Sequence, residues 1–121
     1  MALALAIMRG GISAGAAKAI NGDVNSAISA AGTTQATATA LTAGINVITT
    51  AAASSGVRVS NTEIGDEYEI LNLGANAVTV YPPTSGQVNA IAANGGFTLA
   101  TNTAVKVRKF TATRWAAFLS A

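Results

Sequence analysis

EYEILNLGANAVTVYPPTSG, residues 67 to 86, decides how this chain is read. Tyr68 and Ile70 alternate with Glu67 and Glu69, the period of a half-buried strand. Gly74-Ala75-Asn76 then turns the chain back into a second alternating run, Ala77 to Tyr81. Pro82 and Pro83 end that run, because neither has an N–H for a ladder and Pro82 holds Tyr81 extended. Two adjacent prolines are too few for a polyproline recognition motif, so they read as a strand terminator.

The same period continues on both sides. Upstream, Thr33 to Leu41 is a Thr/Ala alternation closed by the turn Thr42-Ala43-Gly44. Ile45 to Thr50 follows with Ile45, Val47 and Thr49 on one face, then the loop AAASSG and the short strand Val57 to Val59. Downstream come Gln87 to Ala92, Phe97 to Ala100, Ala104 to Phe110 and Arg114 to Leu119, with Asn94-Gly95-Gly96 as a tight turn that demands positive φ. About eight or nine short strands, spaced about ten residues apart with no helical pattern between them, predict an all-β domain. The expected architecture is a small antiparallel β-sandwich, jelly-roll-like fold or barrel. Its candidate core is Ile45, Val47, Val57, Tyr68, Ile70, Val78, Val80, Phe97, Val105, Val107, Trp115 and Leu119. The Ala/Thr strands specify register weakly, which leaves their pairing open.

Before residue 33 the composition changes. Residues 1 to 32 are rich in Ala, Gly and Ser and read as an N-terminal arm, with the β domain over 33 to 121. Ala14 to Ile20 has the length of two helical turns, and Asp23 is a candidate cap for a short helix through Ala30; neither is long enough to be stable alone. MALALAIM resembles a signal-peptide core, but Arg9 follows the apolar run instead of preceding it, so the segment is expected to belong to the mature protein. Its apolar and basic residues Met1, Leu3, Leu5, Ile7, Met8, Arg9, Ile12, Lys18 and Ile20 are the candidate partner-binding set.

Composition narrows the functional classes. In 121 residues, 50% are hydrophobic but only 5% aromatic, and charged residues are 10%, against about 25% in an average soluble domain. A surface of Thr, Ser, Asn, Gly and Ala loses little side-chain entropy and little charge solvation when covered, which suits self-association. Seven basic residues and a net charge of +2 make no phosphate-tracking stripe, so nucleic acid is not an expected partner. Lys106, Arg108 and Lys109 form the one local basic cluster; Glu67 and Glu69 are placed to offset it across a sheet. No apolar run has the length of a membrane span.

The chain has no histidine and no cysteine, which removes the commonest general base and metal ligand, disulfides and thiolate chemistry, and leaves Ser, Thr or Lys as nucleophiles without the usual partner. Gly10-Gly11 and Gly95-Gly96 lack the Lys and helix of a phosphate loop. Glu63, Asp66, Glu67 and Glu69 carry enough oxygens for Ca²⁺, yet they lack the EF-hand order, and Glu67 and Glu69 alternate as a solvated strand face does. A carboxylate pair for glycoside hydrolysis would need aromatic platforms that six aromatic residues do not supply beside a core. The expectation is a protein without catalytic residues, metal or cofactor. Tyr81 and Trp115 are candidates for a sugar-stacking surface, against the alternative of a strand-end tyrosine and a core tryptophan.

Gln35-Ala36-Thr37-Ala38-Thr39, GINVITTAAASSGVRV (44–59), Gly65-Asp66-Glu67, NLGANAVTVYPPTSGQVN (72–89), AANGGFTLA (92–100) and TATRWAAF (111–118) occur in that order. From about Gln35 to the end the chain resembles a module of tailed-bacteriophage virion proteins. The resemblance implies a capsid decoration (cement) or head-fibre-associated protein. Such a protein would be a homotrimer on the outer surface of the virion capsid, bound to the major capsid protein, with no catalytic residues to carry over. A tail or head-fibre component, adaptor or receptor-binding, is the alternative, and a carbohydrate-binding module acting through Tyr81 or Trp115 a third.

Overall fold

A computed structural model describes residues 23–120. Among them are ten strands and no helix: β1 (Val24–Ala30), β2 (Thr39–Leu41), β3 (Ile45–Ala51), β4 (Gly56–Val59), β5 (Glu67–Asn72), β6 (Val78–Tyr81), β7 (Gln87–Val88), β8 (Phe97–Leu99), β9 (Thr103–Lys109) and β10 (Arg114–Leu119). The all-β expectation holds.

The wholly antiparallel arrangement does not. β1, β3 and β5 stack in parallel in one sheet, and β2, β4 and β6 stack in parallel in the other. Each odd–even pair is one coil of a solenoid-like stack. Val24 lies beside Ile45 and Ile45 beside Glu69, so the coils advance by 21 residues (24 to 45) and 24 residues (45 to 69). Antiparallel pairing takes over afterwards, β8 beside β6, β9 beside β5 and β10 beside β9, with β7 parallel to β10. The sheets read β1-β3-β5-β9-β10-β7 and β2-β4-β6-β8.

The corner at residues 73–77 explains the difference. Gly74-Ala75-Asn76 does not fold the chain back as a hairpin; it carries it from β5 in one sheet to β6 in the other. The fully buried Asn72 makes this possible. Its Nδ2 donates to the Asn76 and Leu99 carbonyls at 3.0 and 3.1 Å, and its Oδ1 accepts from the Gly74 N–H at 2.9 Å. Backbone groups that leave their ladders at the corner thus keep partners. Asn76 Nδ2 reaches down to the Ala51 carbonyl of the preceding coil at 2.9 Å. Gly74 lies so close to that coil that a Cβ would sit 2.5 Å from the Ala51 Cβ.

Other boundaries move as well. Val24 to Ala30, read as arm and capped helix, is a strand whose Ile28 and Ala30 enter the core, and Ala31 bridges to Gly56. The β structure therefore begins before residue 33. Met1, Leu3, Leu5, Ile7, Met8, Arg9, Ile12, Lys18 and Ile20 lie outside the described residues, as does the Ala14 to Ile20 segment. In the Thr33 to Leu41 alternation only Thr39–Leu41 is strand; Thr34 to Ala38 is a turn in which the Thr34 carbonyl accepts from Thr37 and Ala38. At 94–96 it is Asn94, not a glycine, that takes positive φ (65°). The strand stop at Pro82 is as expected, with β6 ending at Tyr81.

Between the sheets lies one core in which Trp115, Leu41, Ile48, Ile70, Leu99 and Val57 are the largest buried side chains. Eight candidates are in it: Val57, Tyr68, Ile70, Val78, Val80, Val105, Val107 and Trp115. β3 turns the other way from expectation. Asn46 and Ile48 face inward, Ile45 and Val47 outward. Asn46 is tolerated inside because its Nδ2 donates to the Ala43 and Glu69 carbonyls. Phe97 only flanks the core, and Leu119, at the end of β10, is exposed.

Candidate interaction surface

The outer face of the six-stranded sheet brings together charge and exposed apolar surface. The β5–β9 register sets Glu67 opposite Arg108 and Glu69 opposite Lys106. Both pairs close, at 3.0 and 3.4 Å. The offset expected across the sheet is therefore present for two members of the basic cluster. Lys109, the third, is not on this face. One residue on from Arg108 it points inward, is buried, and donates from Nζ to Asn61 Oδ1 at 2.7 Å and to the Thr62 carbonyl at 2.5 Å. Its ammonium also lies 5.9 Å from the Trp115 ring centroid, within reach of the ring's negative face. Simple parity along β9 carries the signal that separates Lys109 from its neighbours.

Beside the ion pairs runs an apolar groove of about 410 Å³, whose lining includes Ile45, Val47, Leu71, Lys106, Phe118 and Ser120. Register explains its composition. Phe118 stands opposite Lys106, Ile45 beside Glu69, and Leu71 beside Val47 and opposite Ala104. One row across the sheet is thus Ile45, Glu69, Lys106, Phe118; the next is Val47, Leu71, Ala104. Phe118 and Leu119 are 65% and 56% exposed, unusual for large apolar side chains on a regular strand. Sequence reasoning placed Ile45, Val47 and Leu119 in the core and passed over Leu71 and Phe118. The signal was that β3 and β5 carry apolar side chains on both faces, as doubly covered strands do.

The remaining candidates are dispersed. Trp115 is wholly buried, tilted 47° against Tyr68 with ring centroids 6.2 Å apart, and offers no stacking surface. The Tyr81 ring is wedged against the backbone of Gly56 and Gly96, where an added Cβ would come within 2.9 Å of it, and its hydroxyl donates to the Thr33 carbonyl. Among Glu63, Asp66, Glu67 and Glu69, two carboxylates go to ion pairs and Asp66 Oδ2 accepts from the Glu63 N–H within its own turn. Among the described residues no three acidic side chains converge as metal ligands would. The Ser55 and Ser60 hydroxyls donate to carbonyls at 2.7 Å.

Comparison with protein-family models, with curated proteins and with solved structures finds no match to this chain.

Proposed function

We propose that the chain is a non-enzymatic virion structural protein, a capsid decoration (cement) protein that binds the outer surface of a viral head as a homotrimer and stabilises it. The observation that carries this reading is the outer face of the six-stranded sheet: an apolar groove lined by Ile45, Val47, Leu71 and Phe118, with the pair Glu69–Lys106 in its wall and the pair Glu67–Arg108 further along the same face. Such a face gains from burial in an assembly, and its charges set the register of a partner. A charge-poor surface elsewhere costs little to cover. Weak contacts of this kind multiply when symmetry repeats them over a shell. The resemblance of residues 35 to 121 to a virion module supplies the setting, and the major capsid protein is the partner it implies.

The parallel stacking of β1 to β6 favours a second reading, a tail or head-fibre component, because stacked coils build elongated shapes. Copy number separates the two. Quantitative mass spectrometry of purified virions should find this chain in numbers comparable to the major capsid protein. A few copies per particle would establish the fibre reading instead, and absence from virions would overturn both.

A further inference from the structure

Register makes the outer face of the six-stranded sheet complementary to itself. Its rows cross β5 and β9, whose pairing sets Glu67 opposite Arg108, Glu69 opposite Lys106 and Leu71 opposite Ala104. Ile45 extends the middle row on the β3 side and Phe118 on the β10 side, and Val47 extends the third row beside Leu71. The two acids of these rows thus stand on β5 and the two bases on the neighbouring β9. The largest side chain of the third row, Leu71, stands across from its smallest, Ala104.

Two copies stacked face to face can be related by a twofold axis that lies between them, either across the strands or along them. An axis across the strands lays each strand on its own counterpart. Acid then meets acid on β5 and base meets base on β9, whichever row the axis passes. An axis along the strands, between β5 and β9, lays β5 of one copy on β9 of the other. Glu67 then faces Arg108 of the second copy, Glu69 faces Lys106, Leu71 faces the small Ala104, and Ile45 faces Phe118. Sheets packed in this way keep their strands within about 30° of each other and lie about 10 Å apart, a spacing at which facing side chains interdigitate. Within the chain the two ion pairs are already closed, at 3.0 and 3.4 Å. Each carboxylate would gain a second cation, so that four charges of alternating sign close a ring in each of two rows. Covering Phe118, which is 65% exposed, removes water from beside the ring and strengthens its contacts.

We propose that this face binds a second copy of the chain, about a twofold axis that runs along the strands between β5 and β9. The charge pattern selects the occupant. Acids on one strand and bases on the next are their own complement once reversed, and an unrelated surface has no reason to match them. The inference rests on reading this face as an interface and not on the virion setting. A self-complementary face does not close a threefold ring, so in a homotrimer the threefold contact uses another surface and this one joins two trimers.

In the full-length protein, light scattering should give the mass of an even number of chains: two, or six where a threefold contact is also made. A mass of one or three chains would overturn the proposal. Glu69→Lys and Lys106→Glu each set like charges across the axis, and each alone should weaken pairing about 100-fold or more. Mixed one to one, the two variants complement each other. The introduced lysine faces the introduced glutamate, and the native Lys106 of one chain faces the native Glu69 of the other. Pairing should therefore return, with one chain of each variant in every pair. Either variant pairing alone as strongly as the parent, or no recovery on mixing, would overturn the twofold register. Ala104→Trp leaves the charges untouched but fills the space that Leu71 of the second copy takes, and it should abolish pairing with the β-sheet circular dichroism unchanged. Pairing at the parent's strength in that variant would overturn the choice of face. Copy number in virions is a separate readout, so the pairing and the virion reading can each fail alone.

Discussion

The two sheets share a core but treat their outer faces differently. On the four-stranded sheet the chain closes the face itself. Arg58 reaches from β4 to the Gln35 and Ala36 carbonyls at 2.7 and 3.4 Å, and Gln35 Nε2 donates to the Pro82 carbonyl at 2.8 Å. The Tyr81 hydroxyl adds a bond to Thr33. The segment from 33 to 37 is thereby strapped across β4 and β6. On the six-stranded sheet the described residues supply no such strap, and Ile45, Val47, Leu71 and Phe118 line an open groove. A face that ends in its own hydrogen bonds stabilises the monomer. A face that ends in bare hydrocarbon gains only when something else covers it.

The strongest way to break this division is to remove the corner that separates the two faces. Asn72→Leu deletes three hydrogen bonds, leaves the buried Gly74 N–H without its acceptor and takes a donor from the Asn76 and Leu99 carbonyls. A group orphaned in this way costs about 1 to 3 kcal/mol, and with the two lost donors a loss of about 3 kcal/mol or more is expected by denaturant unfolding. A variant within about 0.5 kcal/mol of wild type would mean the corner does not depend on Asn72.

Removing the strap should have a smaller effect. Arg58→Ala loosens the 33–37 segment and should destabilise by about 1.5 to 3 kcal/mol, the range for a hydrogen bond from a charged group. Proteolysis should become faster within 33 to 37 and nowhere else, with self-association unchanged. Phe118→Ser tests the other face and should give the reverse pattern. A side chain 65% exposed contributes little to the monomer, so stability should stay within about 0.5 kcal/mol, while light scattering should report loss of the proposed oligomer. An oligomer that survives Phe118→Ser together with Leu71→Ser would locate the interface away from the groove.

The division also shows what the sequence made legible. Alternation in Tyr68, Ile70 and in Val78, Val80 was enough to identify β5, β6 and their core faces, and the Pro82-Pro83 stop was unambiguous. Whether two such strands pair with each other or stack in different sheets depends on the corner between them. A three-residue Gly-Ala-Asn turn looks like a hairpin until Asn72 is known to hydrogen-bond across it. β3 misled for a related reason. Its apolar residues occupy both faces, and a buried asparagine made the inner face look like the outer one. The groove was hidden by the same ambiguity, since Ile45 and Val47 were assigned inward on hydrophobicity alone. By contrast the Glu67, Glu69 offset against the basic cluster was readable, because charges at alternate positions on a strand share one face.

Those charges give the finest test of the comparison. Glu69–Lys106 is an exposed pair with side chains 44% and 58% accessible, and such pairs contribute about 0 to 1 kcal/mol in water. Lys106→Ala should therefore change monomer stability by no more than about 0.5 kcal/mol, the same bound as for Phe118→Ser and far below that for Asn72→Leu. Its effect on association should be larger, because covering Phe118 and Ile45 on either side removes water from the pair and strengthens every charge contact there. The swap Glu69→Lys with Lys106→Glu restores a pair of the same kind while reversing the pattern presented to a partner. If the charges set register, the swap should fold as stably as the parent, associate with itself, and fail to associate with the parent chain in mixed samples. Free mixing of the two would mean that the hydrocarbon of the groove alone decides the contact, and that Glu69 and Lys106 serve only to keep this face soluble when it is uncovered.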